Sequence, residues 1–159
     1  MMTDNLNNAF WQYSLAHYGR SEVAESCLSY QDNHGANVNL LLFLCWLGCC
    51  GQRAEPEQLE QASSLIEEWD LHAVQKIRSI RRFFSSSQQT SSEIAESLQR
   101  AELMAEQIVQ NILYNWWLEQ RPYTSNMPMA ALQATNLNTY LVTLGCRPVT
   151  DDSPLLRLI

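Results

Sequence analysis

Four cationic side chains stand within seven positions in Lys76-Ile-Arg78-Ser-Ile-Arg81-Arg82, out of only ten Lys and Arg in the chain. A cluster of guanidinium groups suits a phosphate or a carboxylate, because each planar fork of N–H donors meets two oxygens at once. On a helix, Arg78 and Arg82 lie four apart and project away from the face carrying Ile77, Ile80 and Phe84. Arg81 borders that face and is expected to be partly covered. The roles then divide: Arg81 pairs internally with a carboxylate such as Asp32, while Arg78 and Arg82 meet a phosphate or an acidic partner. A solvated face balanced by the acids of residues 55–70 explains the same run without any ligand.

Asp32, Asn37 and Asn39 form a second polar group, offering oxygens to a hard cation. One carboxylate is too few, and the spacing lacks the alternating acids and final glutamate of a calcium loop. Capping explains them more simply: Gly35 supplies a left-handed helix stop, and Asn37 accepts from an unpaired amide at the next helix's start. Cys45 and Cys49 share a helix face with Cys50 beside them, which suits a metal or a redox pair. They lie in an apolar run with no basic neighbour before Arg53, so core packing is the reading. Neither a metal nor a cofactor is expected. The five glycines build no phosphate-cradling loop, no Gly-x-Ser-x-Gly elbow occurs, and His17, His34 and His72 match no ligand or base signature.

These residues need helices to position them. Apolar spacing predicts a first helix over 4–18 capped by Thr3 or Asp4 and ended at Gly19, then a second from Ser21 through Tyr30. The third, 37–50, is apolar nearly all round, as a helix surrounded by others must be. Gly48, Gly51 and Pro56 are expected to break it. A fourth carries Leu59, Ala62, Leu65, Ile66 and Trp69, with a bend near Asp70 before Val74, Ile77, Ile80 and Phe84. A Ser-rich linker over 85–92 precedes the longest helix, about 92–120, with a seam of Ile94, Leu98, Ala101, Ala105, Ile108, Ile112 and Trp116 and an exposed Glu96–Arg100 pair. Pro122 and Pro128 bracket a loop, a last helix spans about 129–144, and no strand shows convincing alternation.

The predicted fold is therefore all-α: a single compact bundle of about five to seven helices around a buried central helix, residues 1–146, with a loosely ordered tail over 147–159. The chain has 159 residues, of which 46% are hydrophobic, enough to bury one core. Ten basic against 17 acidic residues give a net charge of −7, which opposes nucleic acid and anionic lipid. The longest apolar run, 40–50, is about half of what a bilayer requires. The N-terminus has no positive charge leading into an apolar stretch, so a cytoplasmic location with free thiols is expected.

Several separated blocks carry a resemblance: Phe10-Trp11-x-Tyr13-Ser14, the run Cys27-Leu-x-x-Gln31-Asp32-x-x-Gly35-x-x-Val38-Asn39-Leu-Leu-Leu-Phe43, Trp69 with Arg78-x-x-Arg81-Arg82, and Ala101-Glu-Leu-x-Ala-Glu106. Over about residues 9–113 the chain resembles an uncharacterised proteobacterial family of short helical proteins, a domain of unknown function (DUF2390-like). The resemblance implies a bacterial cytoplasmic protein and joins the Gln31–Phe43 block to the arginines, but implies no activity. Asn37 stands where the pattern expects Asp, and Lys76 where it expects Pro, which permits an uninterrupted helix through the basic segment.

With no catalytic constellation, the expected function is a non-catalytic interaction or regulatory module with a protein partner. Homodimerisation through Trp116, Trp117, Tyr123, Met127 and Met129 is its variant. The alternative is a helical protein, enzyme or not, that takes a phosphorylated or isoprenoid-like small anionic ligand. In it Arg78, Arg81, Arg82, Asp32 and Asn39 converge on a pocket. Contact with structured RNA is opposed by charge and by the absence of interleaved aromatics.

Overall fold

The computed structural model describes residues 5–89 and 91–156. In order come α1 (Ala9–Tyr18), α2 (Ser21–His34), α3 (Val38–Cys49), β1 (Gln52–Arg53), α4 (Pro56–Trp69), α5 (Gln75–Ser86), α6 (Ser92–Leu118), β2 (Tyr123–Thr124) and α7 (Met129–Leu141). The two strands are a two-residue antiparallel bridge, so the chain is an all-α bundle.

Helix α3 is the axis. Every residue from Asn39 to Cys45 is buried, together with Leu47 and Gly48, because the other helices surround it and no side faces water. Its entry follows the sequence expectation. Gly35 ends α2 at φ 68°, and Asn37 Oδ1 accepts from the amides of Asn39 (2.9 Å) and Leu40 (3.3 Å). Tyr140 of α7 adds a further lock, its hydroxyl accepting from the Asn37 amide at 2.9 Å.

Gly48 does not break α3. It remains helical and lies directly against Gln133 of α7, while the stop comes at Gly51 (φ 70°) and the restart at Pro56. Glu55 and Gln58 form the capping box of α4. Near Asp70 the chain does not break either. Residues Asp70–Val74 form a π turn that runs straight into α5, re-aiming the face between the two halves.

Helix α1 begins later than the sequence suggests. Residues 5–8 are not helical, and Asn8 is the cap, its Oδ1 accepting from the Trp11 amide at 2.9 Å. The expected caps Thr3 and Asp4 lie outside the described residues. In α6 the buried line is Glu102, Ala105, Val109, Leu113 and Trp117, joined by Gln110 and Asn111; of the predicted seam only Ala105 is fully buried. The helix is turned by about one residue, roughly 100°, because its polar Glu102, Gln110 and Asn111 face inward. The Glu96–Arg100 pair does not form, and Arg100 donates to Ser97 Oγ instead.

Buried amides hold α7 against α3. Gln133 donates to the Cys45 carbonyl (3.0 Å), and Asn136 donates to those of Leu44 (3.3 Å) and Gln52 (3.0 Å) while accepting from the Ala54 amide (3.0 Å). In the segment after Arg147, Leu155 and Leu156 are buried. The Leu155 carbonyl accepts from His17 Nε2 (2.8 Å) and Cys45 Sγ (3.3 Å), which anchors this stretch on α1 and α3.

Candidate functional site

The arginines of α5 do not lie on a free surface but face α6 across a shared network. Arg78 donates through Nε to Glu102 Oε1 (2.8 Å), through Nη2 to Glu106 Oε1 (3.0 Å) and through Nη1 to Gln31 Oε1 (3.1 Å). Arg81 donates through Nε to Glu102 Oε2 and through Nη2 to Glu102 Oε1. Glu102 is thus held by two guanidinium groups at once. It sits among them with a side chain only 10% exposed, against 17% for Arg78 and 31% for Arg81.

This corrects two expectations. Arg81 pairs with Glu102 and not with Asp32, because α6 rather than α2 lies across that part of α5. Asp32 instead stands 3.9 Å from Arg82, an ion pair beyond hydrogen-bond reach with both side chains well exposed. Arg78, expected to project outward, is the most covered of the three.

Two clefts meet at this network. One, about 430 Å³, runs between α1, α2, α3, α5 and α6 and is lined by Trp11, Ser14, Tyr18, Gln31, Asn39, Leu42, Arg78, Arg81, Arg82, Glu102, Glu106 and Gln110, with Leu15, Leu28 and Leu103 also on its wall. The other, about 480 Å³, is more polar and lies on the side of Asp32, Gly35, Asn37, Asp70 and Gln75. Arg78, Arg82, Gln31, Val38 and Asn39 line both. All five candidate residues, Arg78, Arg81, Arg82, Asp32 and Asn39, therefore line one cleft or the other. The cap residues Asn37 and Gly35 form part of the second wall.

Electrostatics differ sharply between the two glutamates although they are one turn apart. Burial raises the Glu102 pKa, but Arg81 and then Arg78 outweigh it, and its carboxyl is held below the ordinary glutamate value. Burial also raises Glu106, whose single arginine contact does not compensate, with the charge of Glu102 adding to the rise; its pKa ends above the ordinary value. Burial works against the Arg78 charge, yet Glu102 and Glu106 overcome it and hold the guanidinium above its usual pKa.

Two polar side chains in the wall of the first cleft are almost wholly buried and incompletely bonded. Gln110, 2% exposed, donates from Nε2 to Asn39 Oδ1 (2.9 Å), but its Oε1 has no protein partner. Ser14, 3% exposed, has an Oγ with no partner. Buried polar atoms are seldom left so, and each that is needs a reason.

The cysteines lie elsewhere. Burial pushes the Cys27 thiol up to about 12 and Cys49 to about 11, and Cys45 rises well above its usual value. Among the described residues no group of three or more His, Cys, Asp or Glu is arranged to hold a metal ion.

Sequence reasoning missed Glu102, Glu106, Ser14 and Gln110 as site residues. Complementary spacing was the available signal for the glutamates: acids four apart on one helix match bases three and four apart on another. For Ser14 and Gln110, no spacing marks them.

Residues 9–113 match the family described as a protein of unknown function, DUF2390. The chain belongs to that family. The matched span contains every ion pair of the network and both clefts' arginines, and stops before α7. No curated protein and no solved structure matches the chain. Among the described residues no helix is long and apolar enough to cross a membrane.

Proposed function

We propose that this DUF2390 protein is a non-catalytic binding module of the bacterial cytoplasm, and that the cleft between α1, α5 and α6 takes a small ligand. The observation that carries this reading is a concave site with three arginine side chains, Arg78, Arg81 and Arg82, at one end and the apolar Trp11, Leu42 and Leu103 beside them. The volume, about 430 Å³, falls within the roughly 300–1,000 Å³ of small-molecule sites. Support for the non-catalytic reading is that Ser14 has no bonded base beside it and that both oxygens of Glu102 are taken up by arginines. The cytoplasmic placement rests on the family resemblance and on five free thiols.

Amide NMR of the protein with a set of small organic molecules tests this. Binders are expected to shift Ser14, Leu103 and the Gln110 side-chain amide, and Leu15→Trp at the half-exposed rim is expected to abolish the response. Shifts concentrated away from these residues overturn it.

A second reading, self-association, is favoured by Leu118, Tyr123, Met127 and Met129, which are 40–66% exposed within one short stretch. Trp117, included in that surface by sequence, is buried with its indole N–H on Gln52 and leaves the set. Sedimentation equilibrium decides it: a monomer at high micromolar concentration ends this reading.

A further inference from the structure

The first cleft is chemically graded along its length. At one end stand three guanidinium groups, Arg78, Arg81 and Arg82, against two carboxylates, Glu102 and Glu106. Both Glu102 oxygens are occupied by Arg78 and Arg81, so this carboxylate has little left to offer a cation. The arginines, by contrast, have donors to spare. Arg81 spends only Nε and one Nη on Glu102, and Arg82 lies 3.9 Å from Asp32 without a hydrogen bond. The surplus is of donors: with Asp32 beside Arg82, three guanidinium groups stand against three carboxylates, but Arg81 and Arg82 keep N–H groups that no carboxylate takes up.

Away from the arginines the lining turns apolar. Trp11, Leu42 and Val38 form the floor, while Leu15, Leu28 and Leu103, each 40–50% exposed, stand at the mouth. Gln110 is eight residues beyond Glu102 on α6, which places it about 12 Å further along the helix. A molecule reaching from the arginines to Gln110 is therefore elongated, not a bare ion.

Resting on the reading of this cleft as a ligand site, we infer that its ligand is an organic oxyanion with an apolar body. The head sits on Arg81 and Arg82, and the body lies along Trp11 and Leu42 under the leucine rim. Guanidinium forks take carboxylate or phosphate by paired charge-assisted bonds, and removal of Leu15, Leu28 and Leu103 from water favours the tail.

The test uses amide NMR titrations of the whole chain with three probes: octanoate, the isosteric neutral octanamide, and acetate. Octanoate carries head and body, octanamide the body alone, acetate the head alone. Octanoate is expected to shift Ser14, Leu103 and Gln110 and to bind at least tenfold more tightly than either of the others. Arg82→Gln, at an exposed position outside the Glu102 network, is expected to bring octanoate down to the affinity of octanamide without altering the rest of the spectrum. Equal binding of octanoate and octanamide at those residues overturns the oxyanion head while leaving the cleft reading intact. Equal binding of octanoate and acetate overturns the apolar body. No shift at the cleft residues with any probe sinks the cleft reading itself, and this inference with it.

Discussion

Gly48 of α3 lies against Gln133 of α7 so closely that a Cβ on the glycine would stand 2.3 Å from Gln133 Cγ, 2.9 Å from its Cα and 3.0 Å from its backbone nitrogen. The side-chain atom can move, but the backbone atoms belong to a helix tied to α3 by its buried amides. Gly→Ala inside a helix ordinarily gains up to about 1 kcal/mol. At Gly48 the sign is expected to reverse, with Gly48→Ala losing about 1–2 kcal/mol through overpacking. Urea midpoints at unchanged m-value measure it, and a stabilised variant would show that α7 has room to retreat.

The parts of the fold governed by local chemistry were legible. Gly35 and Asn37 end one helix and start the next, Pro56 opens α4, and an all-round apolar segment lies at the centre, each from rules acting within a few residues. What failed depends on partners distant in sequence. A seam counted from apolar positions leaves out Glu102, Gln110 and Asn111, which Arg78, Asn39 and Asn8 meet inside, and so places the face of α6 one residue away. The same blindness exchanged the arginine partners. Whether α2 or α6 crosses α5 at Arg81 is a tertiary fact, and periodicity within α5 contains no trace of it. Gly48 reads as a breaker because a glycine that ends a helix and a glycine that admits a neighbour have the same letter.

Glu102 and Glu106 are expected to titrate with opposite effects on stability. The folded pKa of Glu102 lies below its unfolded value, so its contribution is present above the unfolded value and is lost as pH falls through the folded one. The folded pKa of Glu106 lies above its unfolded value, so its contribution is full below the unfolded value and is lost as pH rises through the folded one. At pH 7 Glu102→Gln therefore costs about 2–3 kcal/mol, discounted from a fully buried pair because Arg81 is partly exposed. Glu106→Gln does not lower stability at that pH. Denaturation of both variants at neutral and acid pH checks this, with the gap between them closing in acid; equal losses at pH 7 would contradict it.

Asn136 is fully buried and satisfies three backbone groups at once, the Ala54 amide and the carbonyls of Leu44 and Gln52. Asn136→Leu keeps the volume but strands the Ala54 N–H and removes a donor from each carbonyl. With about 1–3 kcal/mol for each buried group left unpaired, a loss of at least about 3 kcal/mol is expected. Amide exchange is the sharper readout: the Ala54 amide, protected in the wild type, exchanges freely in the variant if this account holds.

His17 links acid sensitivity to the docking of the C-terminal stretch. Its Nε2 meets the Leu155 carbonyl, which only accepts, so the proton resides on Nε2 and the buried Nδ1 presents a lone pair with no partner. Protonating Nδ1 would place a charged donor in the core with nothing to receive it. Burial accordingly lowers the His17 pKa; Arg20 lowers it further, while the Leu155 carbonyl and Glu22 oppose the shift only in part. Because the folded value lies below the unfolded one, the unfolded chain takes up the proton first, and stability falls as pH drops through about 6.5. His17→Gln, which retains a donor for Leu155 but does not titrate, is expected to flatten the stability curve between about pH 7 and 5 relative to the wild type. A variant with the same acid slope as the wild type would mean that the imidazole is reached by water and that its burial does not resist the charge.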